Sequence, residues 1–357
     1  MKKLIQKSFT LLVLLFVMNT LKAQTWFPLG GGLPGNWGSF EHVDMVSKKI
    51  NNEIHVAVSV SNSTWTSSTT VIYKWNGIAW TTTSPVPAND FYVSDMVAFN
   101  SKIYISGWNQ SGTAIYEFDN GTWTGYAPTS FNGSVRALDV FGGELYLGGN
   151  FTSSVGSHIM KFSNGNFSVA PTLPPLNYVK DIEVFNNGLY VTGDDSSKIV
   201  KSILELSGNA WNRVAHFIQG TGATWGVAKL FTYQNNLYAY NDSYSGDVHL
   251  VSNDTLFFKG KMAHHITGYT EYNNEIYFSG DTADFSGGPY FSKFNGNLVT
   301  PIYNSPKTLG GVETFNGNLV VISKTDLVHN SIVGNKTYQS GGSLSTISGK
   351  VFNDLNG

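Results

Sequence analysis

The apolar positions of this chain return in one recurring phrase. A run of mostly apolar residues ends in Phe, Tyr or Ile, a turn rich in Asn and Gly follows, and the next run opens with Ile or Leu, usually followed by Tyr. Successive copies lie 39 to 49 residues apart, a period that is typical of repeats built from strands. The pattern predicts an all-β repeat protein. The copies are INNEIH (50–55), FNSKIY (99–104), FGGELY (141–146), FNNGLY (185–190), YQNNLY (233–238), YNNEIY (272–277) and FNGNLV (315–320).

Residues 134–171 show the strands of one repeat. We predict a first strand over 135–141, a tight turn at Gly142 and Gly143, a second strand over 145–147, a loop over 149–157, a third strand over 159–162 and an outer strand from Phe167. The strands are almost continuously apolar, which indicates sheets that neighbouring sheets cover on both faces. Together these features predict a seven-bladed β-propeller of four-stranded antiparallel blades.

The second half of the repeat also recurs, with an Asn-Gly or similar turn between apolar residues, which favours a hairpin. Trp80, Trp123 and Trp211 close three of these copies, and we expect these side chains to pack between blades and bind no ligand. The copies are IYKWNGIAW (72–80), IYEFDNGTW (115–123), IMKFSNGNF (159–167), ILELSGNAW (203–211) and FSKFNGNL (291–298).

The two ends of the repeat region are predicted to share one sheet. Residues 25–32, TWFPLGGG, read like an isolated outer strand. The last unit, from Thr308, has three predicted strands, and the pattern after Asn335 is weak. Because an open stack would leave unpaired sheet edges, we predict that residues 25–29 complete the last blade and close the ring.

Composition limits the chemistry that is open to the chain. It has 357 residues and no cysteine, which excludes disulfides, thiolate metal sites and cysteine nucleophiles. A net charge of −2, with only 13% charged residues, provides no basic surface for nucleic acid.

The first residues have the features of an export signal. Lys2, Lys3 and Lys7 precede an apolar run over 9–18, and Ala23 stands before Gln24 as a cleavage point. A membrane anchor is the alternative, but crossing a bilayer takes about 20 apolar residues. We therefore predict a signal peptide over 1–23, a propeller over 24–340 and a linker with a further segment over 341–357, in a secreted or cell-surface protein that meets the membrane only through this signal.

The repeat resembles the bacterial kelch-like propellers, relatives of the galactose oxidase central domain. The resemblance rests on Trp26, Leu29, Gly30 and Gly32, on residues 135–151 and on residues 72–80, and it extends over about residues 25–340. It implies a propeller and leaves function open, because propellers host many activities. The copper chemistry of galactose oxidase needs a cysteine-linked tyrosine, which this chain cannot form.

The C-terminal residues carry a second resemblance. ISGKVFNDLNG (347–357) is similar to the first strand of the Cna B-type, prealbumin-like modules of bacterial surface adhesins. In those modules the turn often binds Ca²⁺, which here points to Asp354 and Asn356. The resemblance implies either a longer native protein or an end that binds no metal.

Loops between second and third strands meet on one face of a propeller, and rigid scaffolds tend to carry function on such loops. We expect these loops to bind a glycan or an extracellular protein through the aromatic residues Trp65, Trp108, Phe151, Tyr244 and Phe285. Further carboxylates on this predicted face are Asp194 and Asp195. Asp242 with Asp247, and Asp281 with Asp284, are candidate ligands for Ca²⁺.

No catalytic motif occurs in the sequence: H-E-x-x-H and G-x-S-x-G are both absent. We therefore predict a binding or adhesion module with no assigned catalytic residue. The alternatives are a propeller-type carbohydrate-active enzyme, which would need two carboxylates close together in a central pocket, and a rigid spacer in a longer surface protein. The oligomeric state is left open.

Overall fold

A computed structural model describes the repeat region and none of the terminal segments 1–25 and 341–357. The described residues are 26–29, 33, 42–62, 64, 66–173, 176–195, 200–218, 227–241, 246–262, 265–281, 291–302, 309–323, 327–328, 331–332 and 337–340. Within these ranges the chain is built from strands and turns, and it contains no helix that is long and apolar enough to cross a membrane.

The strands follow the recurring phrase, so each copy of the phrase marks one repeat unit. The first four units are β2 (His42–Ile50), β3 (Glu53–Ser61), β4 (Ser68–Trp75), β5 (Trp80–Thr82); β6 (Tyr92–Phe99), β7 (Lys102–Trp108), β8 (Ile115–Asp119), β9 (Thr122–Tyr126); β10 (Asn132–Phe141), β11 (Glu144–Ser153), β12 (Gly156–Ser163), β13 (Asn166–Val169); and β14 (Leu176–Phe185), β15 (Gly188–Asp195), β16 (Val200–Ser207), β17 (Ala210–Ile218).

The last three units continue the series, and the seventh includes the N-terminal strand β1 (Trp26–Pro28). They are β18 (Val227–Tyr233), β19 (Asn236–Asn241), β20 (Asp247–Ser252), β21 (Thr255–Lys261); β22 (His265–Tyr272), β23 (Glu275–Asp281), β24 (Phe291–Phe294), β25 (Val299–Pro301); and β26 (Leu309–Phe315), β27 (Asn318–Ser323) with β30 (Thr337–Ser340). A separate hairpin pairs β28 (Leu327–Val328) with β29 (Ser331–Ile332).

Each unit is a four-stranded antiparallel blade, and the blades have a propeller-like arrangement. Units two and three are joined into one larger sheet through the pairing of Ser134 with Trp108. In the seventh unit β1 pairs with β30, with Trp26 opposite Ser340. That sheet therefore contains strands from both ends of the described chain.

The predicted tight turns are present at all seven copies of the phrase. In each, the two central residues have positive φ, for example 47° at Asn186 and 60° at Asn187. Positive φ at both positions is the geometry of a type I′ turn, whose twist matches that of paired strands and which favours Asn and Gly. The Asn-rich turns of the phrase are thus explained by backbone conformation.

Two details of the predicted strands are wrong. The loop predicted over 149–157 is mostly strand, because β11 runs on to Ser153 and turns directly into β12. In the last unit the third strand is β30, later in the chain than the strand predicted before Asn335. Residues 327–328 instead pair with residues 331–332 as β28 and β29.

Apolar side chains fill the spaces between units. Each hydrophobic cluster joins two consecutive units, and one cluster joins Met45 and Val58 of the first unit to Phe315 and Val320 of the seventh. Burying a side chain of this size stabilises the fold by about 1.5 to 3 kcal/mol. No single sheet has a core of its own, so the units stabilise one another.

The three tryptophans predicted to pack between blades do so, and each also donates a hydrogen bond to an earlier segment. The indole N–H groups of Trp80, Trp123 and Trp211 reach the carbonyl oxygens of Leu29 at 3.3 Å, Ser84 at 2.8 Å and Pro171 at 2.8 Å. Each bond links a unit to the outer edge of the preceding one, which confirms the inter-blade role.

Candidate functional site

The first strand of each unit lies at the centre of the arrangement. These strands are β2, β6, β10, β14, β18, β22 and β26. Neighbouring strands contact one another from β2 to β18 and from β22 to β26, and β26 contacts β2. Between them is a cavity of about 730 Å³, which we call the central cavity. Every unit contributes to its lining. The polar and aromatic side chains of the lining include Lys48, Ser94, Asp95, Arg136, Tyr178, Lys180, Lys229, Thr267, Tyr269 and Glu313.

A β-bulge recurs at one position of these strands. In six of the seven, pairing with the second strand shifts at the residue that lies five positions before the end of the strand. Only β2 keeps a continuous register from His42 to Ile50. A bulge adds one unpaired residue and redirects its side chain. The bulged residues are Ser94, Arg136, Lys180, Ala228, Thr267 and Gly310, and four of these line the central cavity: Ser94, Arg136, Lys180 and Thr267.

The bulges also explain glycines in the second strands. A Cβ atom on Gly107, Gly149 or Gly193 would collide with the carbonyl oxygen two residues before the bulge, that of Tyr92, Ser134 or Tyr178 respectively. The glycine therefore permits the close backbone approach that the bulge requires.

Below the bulges, carboxylates tie each central strand to the next unit. Asp95 accepts the backbone N–H of Leu138 at 2.9 Å, and Asp139 accepts that of Val184 at 3.0 Å. In the same way Asp181 accepts the N–H of Leu230 at 2.7 Å. Such charge-assisted bonds are among the stronger ones in proteins. Three successive contacts between units are thus closed by a carboxylate.

The seventh unit is linked to the first by a similar contact. Glu313 accepts a hydrogen bond from the Ser47 hydroxyl at 2.9 Å, and burial raises the pKa of Glu313 to about 7 despite this bond and the nearby Lys48. A carboxyl group with that pKa is partly protonated at neutral pH.

Glu183 lies on the same strand as Asp181, but its hydrogen-bond partner is a side chain of a unit that is not adjacent. Its Oε2 accepts the hydroxyl of Tyr269 at 3.0 Å, which links the fourth unit to the sixth. Burial raises the pKa of Glu183 to about 8, and the neighbouring Asp181 and Asp139 add to the shift. Burial likewise raises the pKa of Asp139 to about 6. Burial at the centre of the fold thus favours the neutral forms of Glu183 and Asp139.

Two lysines compensate part of this negative charge. Lys229 donates to Asp181 at 3.0 Å. Burial lowers the pKa of Lys229, but the negative charges of Asp181 and Asp95 have the larger effect, and the pKa is raised. Lys229 lines the central cavity, and 31% of its side chain is accessible to water. For Lys48 as well, burial lowers the pKa but is outweighed by Asp95, and the pKa is raised.

Of the five sequence-predicted binding residues, the structure describes Trp108 and Phe151. Trp108 ends β7 with 40% of its surface exposed, and its ring centroid lies 5.2 Å from that of Tyr92. Phe151 was predicted in an exposed loop, and this is wrong. It is 2% exposed, because the extended β11 turns it into the core beside Phe131. Trp65, Tyr244 and Phe285 lie outside the described residues.

The predicted calcium ligands are only partly described. Asp247 begins β20, and its Oδ1 is buried with no hydrogen-bond partner. Asp281 is a strand residue whose side chain is not described, and Asp242 and Asp284 lie outside the described residues. Within the described ranges, no group of three His, Asp or Glu side chains could hold a metal ion. The calcium hypothesis therefore stays a prediction.

The other two predicted face carboxylates lie near the end of β15. Asp194 is 3.8 Å from the ammonium of Lys180, a cavity residue. Asp195 is in the same strand, and its side chain is not described.

Sequence reasoning missed the charged residues of the first strands, because these strands read as almost continuously apolar. The signal was present: six of the seven units carry a charged residue two or four positions before the end of the first strand. These residues are Lys48, Asp95, Asp139, Asp181, Glu183, Lys229 and Glu313.

Comparison with solved structures supports the architecture. The chain has a β-propeller-like fold. It is similar to the extracellular domain of a putative hybrid two-component system from B. thetaiotaomicron, with 11% identity, a TM-score of 0.58 and coverage of 88% of this chain and 39% of that chain. A second structure of an extracellular domain from that organism, described as part of a putative one-component system, gives 11% identity, a TM-score of 0.59 and coverages of 88% and 40%.

A third similar structure is BBS1N in complex with ARL6DN, with 11% identity, a TM-score of 0.54 and coverage of 89% of this chain and 97% of that chain. The chain thus spans about two fifths of the length of the first two structures. At this level of identity the likeness concerns the fold alone. No protein-family model and no curated protein matches the sequence, so the kelch and Cna B resemblances stay predictions.

Proposed function

We propose that the chain is a binding module, secreted or held at a bacterial cell surface, that recognises a glycan or an extracellular protein at the central cavity. The observation that carries this proposal is the cavity of about 730 Å³ that the first strands of all units line. Ligand pockets commonly measure about 300 to 1,000 Å³. The lining offers hydroxyl, ammonium and guanidinium donors, which suit a polar ligand.

Two further observations support an extracellular location. The N-terminal segment 1–23 has the features of an export signal. Two structures of similar fold are, by their descriptions, extracellular domains of bacterial signalling systems.

The proposal is tested by filling the cavity. Ser94 lines it at a bulge, so Ser94→Trp should obstruct the site, whereas Thr124→Trp places the same side chain on the exposed outer strand β9. We expect S94W to remove binding in a glycan array and in a pull-down of extracellular proteins, and T124W to retain it. Equal binding by both variants would show that any ligand binds elsewhere.

We further propose a closed, seven-bladed, kelch-like ring. Its support is the pairing of β1 with β30 and the cluster of apolar side chains shared by the first and seventh units. Deletion of residues 24–33 should lower the melting temperature, and an unchanged value would contradict closure. We also retain the proposal that residues 347–357 open a Cna B-type module of a longer surface protein, for which the fold would then be an adhesive head or a spacer.

A propeller-type carbohydrate-active enzyme is the second candidate. Glu183, with a pKa raised by burial to about 8, holds a proton at neutral pH as a general acid must. Against this, Asp95, Asp139 and Asp181 are occupied by backbone N–H groups of neighbouring units. Release of reducing ends from a glycan that binds, abolished in E183Q but with binding intact, would favour the enzyme.

A further inference from the structure

The lining of the central cavity carries both carboxylates and cations, and two of the cations point to the class of ligand. Arg136 and Lys180 occupy the bulge position of two adjacent strands, β10 and β14, and both line the cavity. Because the bulges stand at the same distance from the strand ends, the two side chains enter the cavity at one level. Ser94 and Thr267 add hydroxyl groups at that level.

The positively charged side chains of the cavity differ in whether a carboxylate lies close enough to offset their charge. Lys229 is bonded to Asp181, and Lys48 is held by the charges of Asp95 and Glu313. Lys180 has Asp194 at 3.8 Å and the Tyr178 ring at 5.7 Å. Those three ammonium groups therefore have partners that account for their charge.

Arg136 differs from these three lysines. The side chain of Arg136 is exposed to the cavity, and within the described part of the chain it makes no hydrogen bond and no ion pair. Lys49 also lines the cavity and likewise makes no ion pair within the described part of the chain. Asp95, which lines the same cavity, and Asp139 each accept a hydrogen bond from a backbone N–H group of the next unit. A guanidinium group presents a planar set of donors that matches carboxylate and sulfate oxygens in two parallel bonds. An unpartnered arginine facing a cavity is thus an available anion receptor.

We propose that Arg136 binds the acidic group of a sugar, a carboxylate or a sulfate, with Lys180 supporting it and with Ser94 and Thr267 placed for hydroxyl groups of the same ligand. The inference rests on the proposed function and specifies its ligand as an acidic glycan. Uronate and sulfated sugars share the required chemistry, and the experiment below separates them.

The test compares four polymers with the purified full chain by isothermal titration calorimetry. The probes are polygalacturonate, dextran sulfate, unmodified dextran and polyglutamate. We expect binding of polygalacturonate or of dextran sulfate, with dextran at least about tenfold weaker, a difference of about 1.4 kcal/mol. The acidic polymer that binds identifies the group as uronate or sulfate.

The chain offers a matched control, because it contains one other arginine, Arg213, which is exposed on the outer strand β17. Arg136→Gln should weaken binding of the acidic glycan about tenfold or more, and Arg213→Gln should leave it unchanged. Arg136→Lys should recover only part of the affinity, because an ammonium group lacks the paired donors. Melting temperatures of the variants verify that each one is folded.

Three outcomes would overturn the inference. They are the absence of binding to both acidic glycans, preference for polyglutamate over them, and equal losses in R136Q and R213Q. If a neutral glycan or a protein binds and S94W removes that binding, the proposed function stands while the acidic ligand is wrong. If no ligand is found in the array or the pull-down either, both proposals fail.

Discussion

The carboxylate of Asp181 provides the sharpest test of how the units are held together. It is 4% exposed and accepts two bonds from the next unit, from the Leu230 N–H at 2.7 Å and from the Lys229 ammonium at 3.0 Å. In Asp181→Ala the Leu230 N–H is buried without an acceptor, which costs about 1 to 3 kcal/mol. The ammonium also loses its partner.

Breaking a fully buried ion pair costs about 3 to 5 kcal/mol. Water reaches Lys229, whose side chain is 31% exposed, so this contribution is smaller here. We therefore expect D181A to lower the free energy of unfolding by about 2 to 4 kcal/mol in total. Asp181→Asn keeps an oxygen for the Leu230 N–H and should lose less.

The measurement is urea denaturation followed by tryptophan fluorescence, with midpoints compared at constant slope. The control is Asp119→Ala, because Asp119 also pairs with a lysine, Lys102 at 3.4 Å, but is 39% exposed. An exposed pair contributes about 0 to 1 kcal/mol. If D181A and D119A lower stability equally, the buried carboxylates do not hold the units together and the reasoning is wrong.

Three further predictions concern a hydrogen bond between units, a buried aromatic residue and a buried carboxyl group. Trp211→Phe should lower stability by about 1 kcal/mol, because the bond from the indole N–H to the Pro171 carbonyl at 2.8 Å is lost, as urea denaturation would reveal. Phe231→Ala should cost about 3 to 5 kcal/mol, because Phe231 is 0% exposed, whereas Phe257→Ala, at a site 49% exposed, should change the midpoint little. Burial raises the pKa of Glu183 from 4.5 to about 8, so between these values the folded chain holds a proton that the unfolded chain has lost, and stability falls as pH rises. Glu183→Gln removes this dependence, and its melting temperature should rise relative to the unchanged chain from about pH 5 to about pH 8; a constant difference would contradict the assignment.

The repeat and its turns could be predicted from sequence because they are local. Two residues with positive φ admit few side chains, so Asn186 and Asn187 identify their turn without any knowledge of the fold. The tryptophans were predictable for a related reason. A large aromatic residue that recurs once per unit, as at Trp80 and Trp123, has a repeated neighbour to pack against.

The centre of the fold could not be predicted in the same way, because it is formed by residues far apart in sequence. The partner of Asp95 is 43 positions away, and that of Glu313 is 266 positions away. Neither distance is encoded in the strand pattern. A bulge is equally hard to recognise, since it adds one residue without changing composition. The bulge at Arg136 therefore has no signature in the sequence, and the extension of β11 through Phe151 depends on pairing with β10.

In the first strands of the units, the residues that stabilise contacts between units differ from the residues at the bulges. Residues two and four positions before the strand end carry the carboxylates that bond to the next unit, so a change there disturbs the assembly. The bulged residue pairs with no strand partner, and a bulge is where a side chain can be redirected without breaking the ladder on either side. The side chains found at that position differ widely, from serine and threonine to arginine, lysine, alanine and glycine. Such variation at one structurally equivalent position indicates that the fold sets few requirements there. Substitution of the bulged residues can therefore change ligand preference, while the contacts that stabilise the units are preserved.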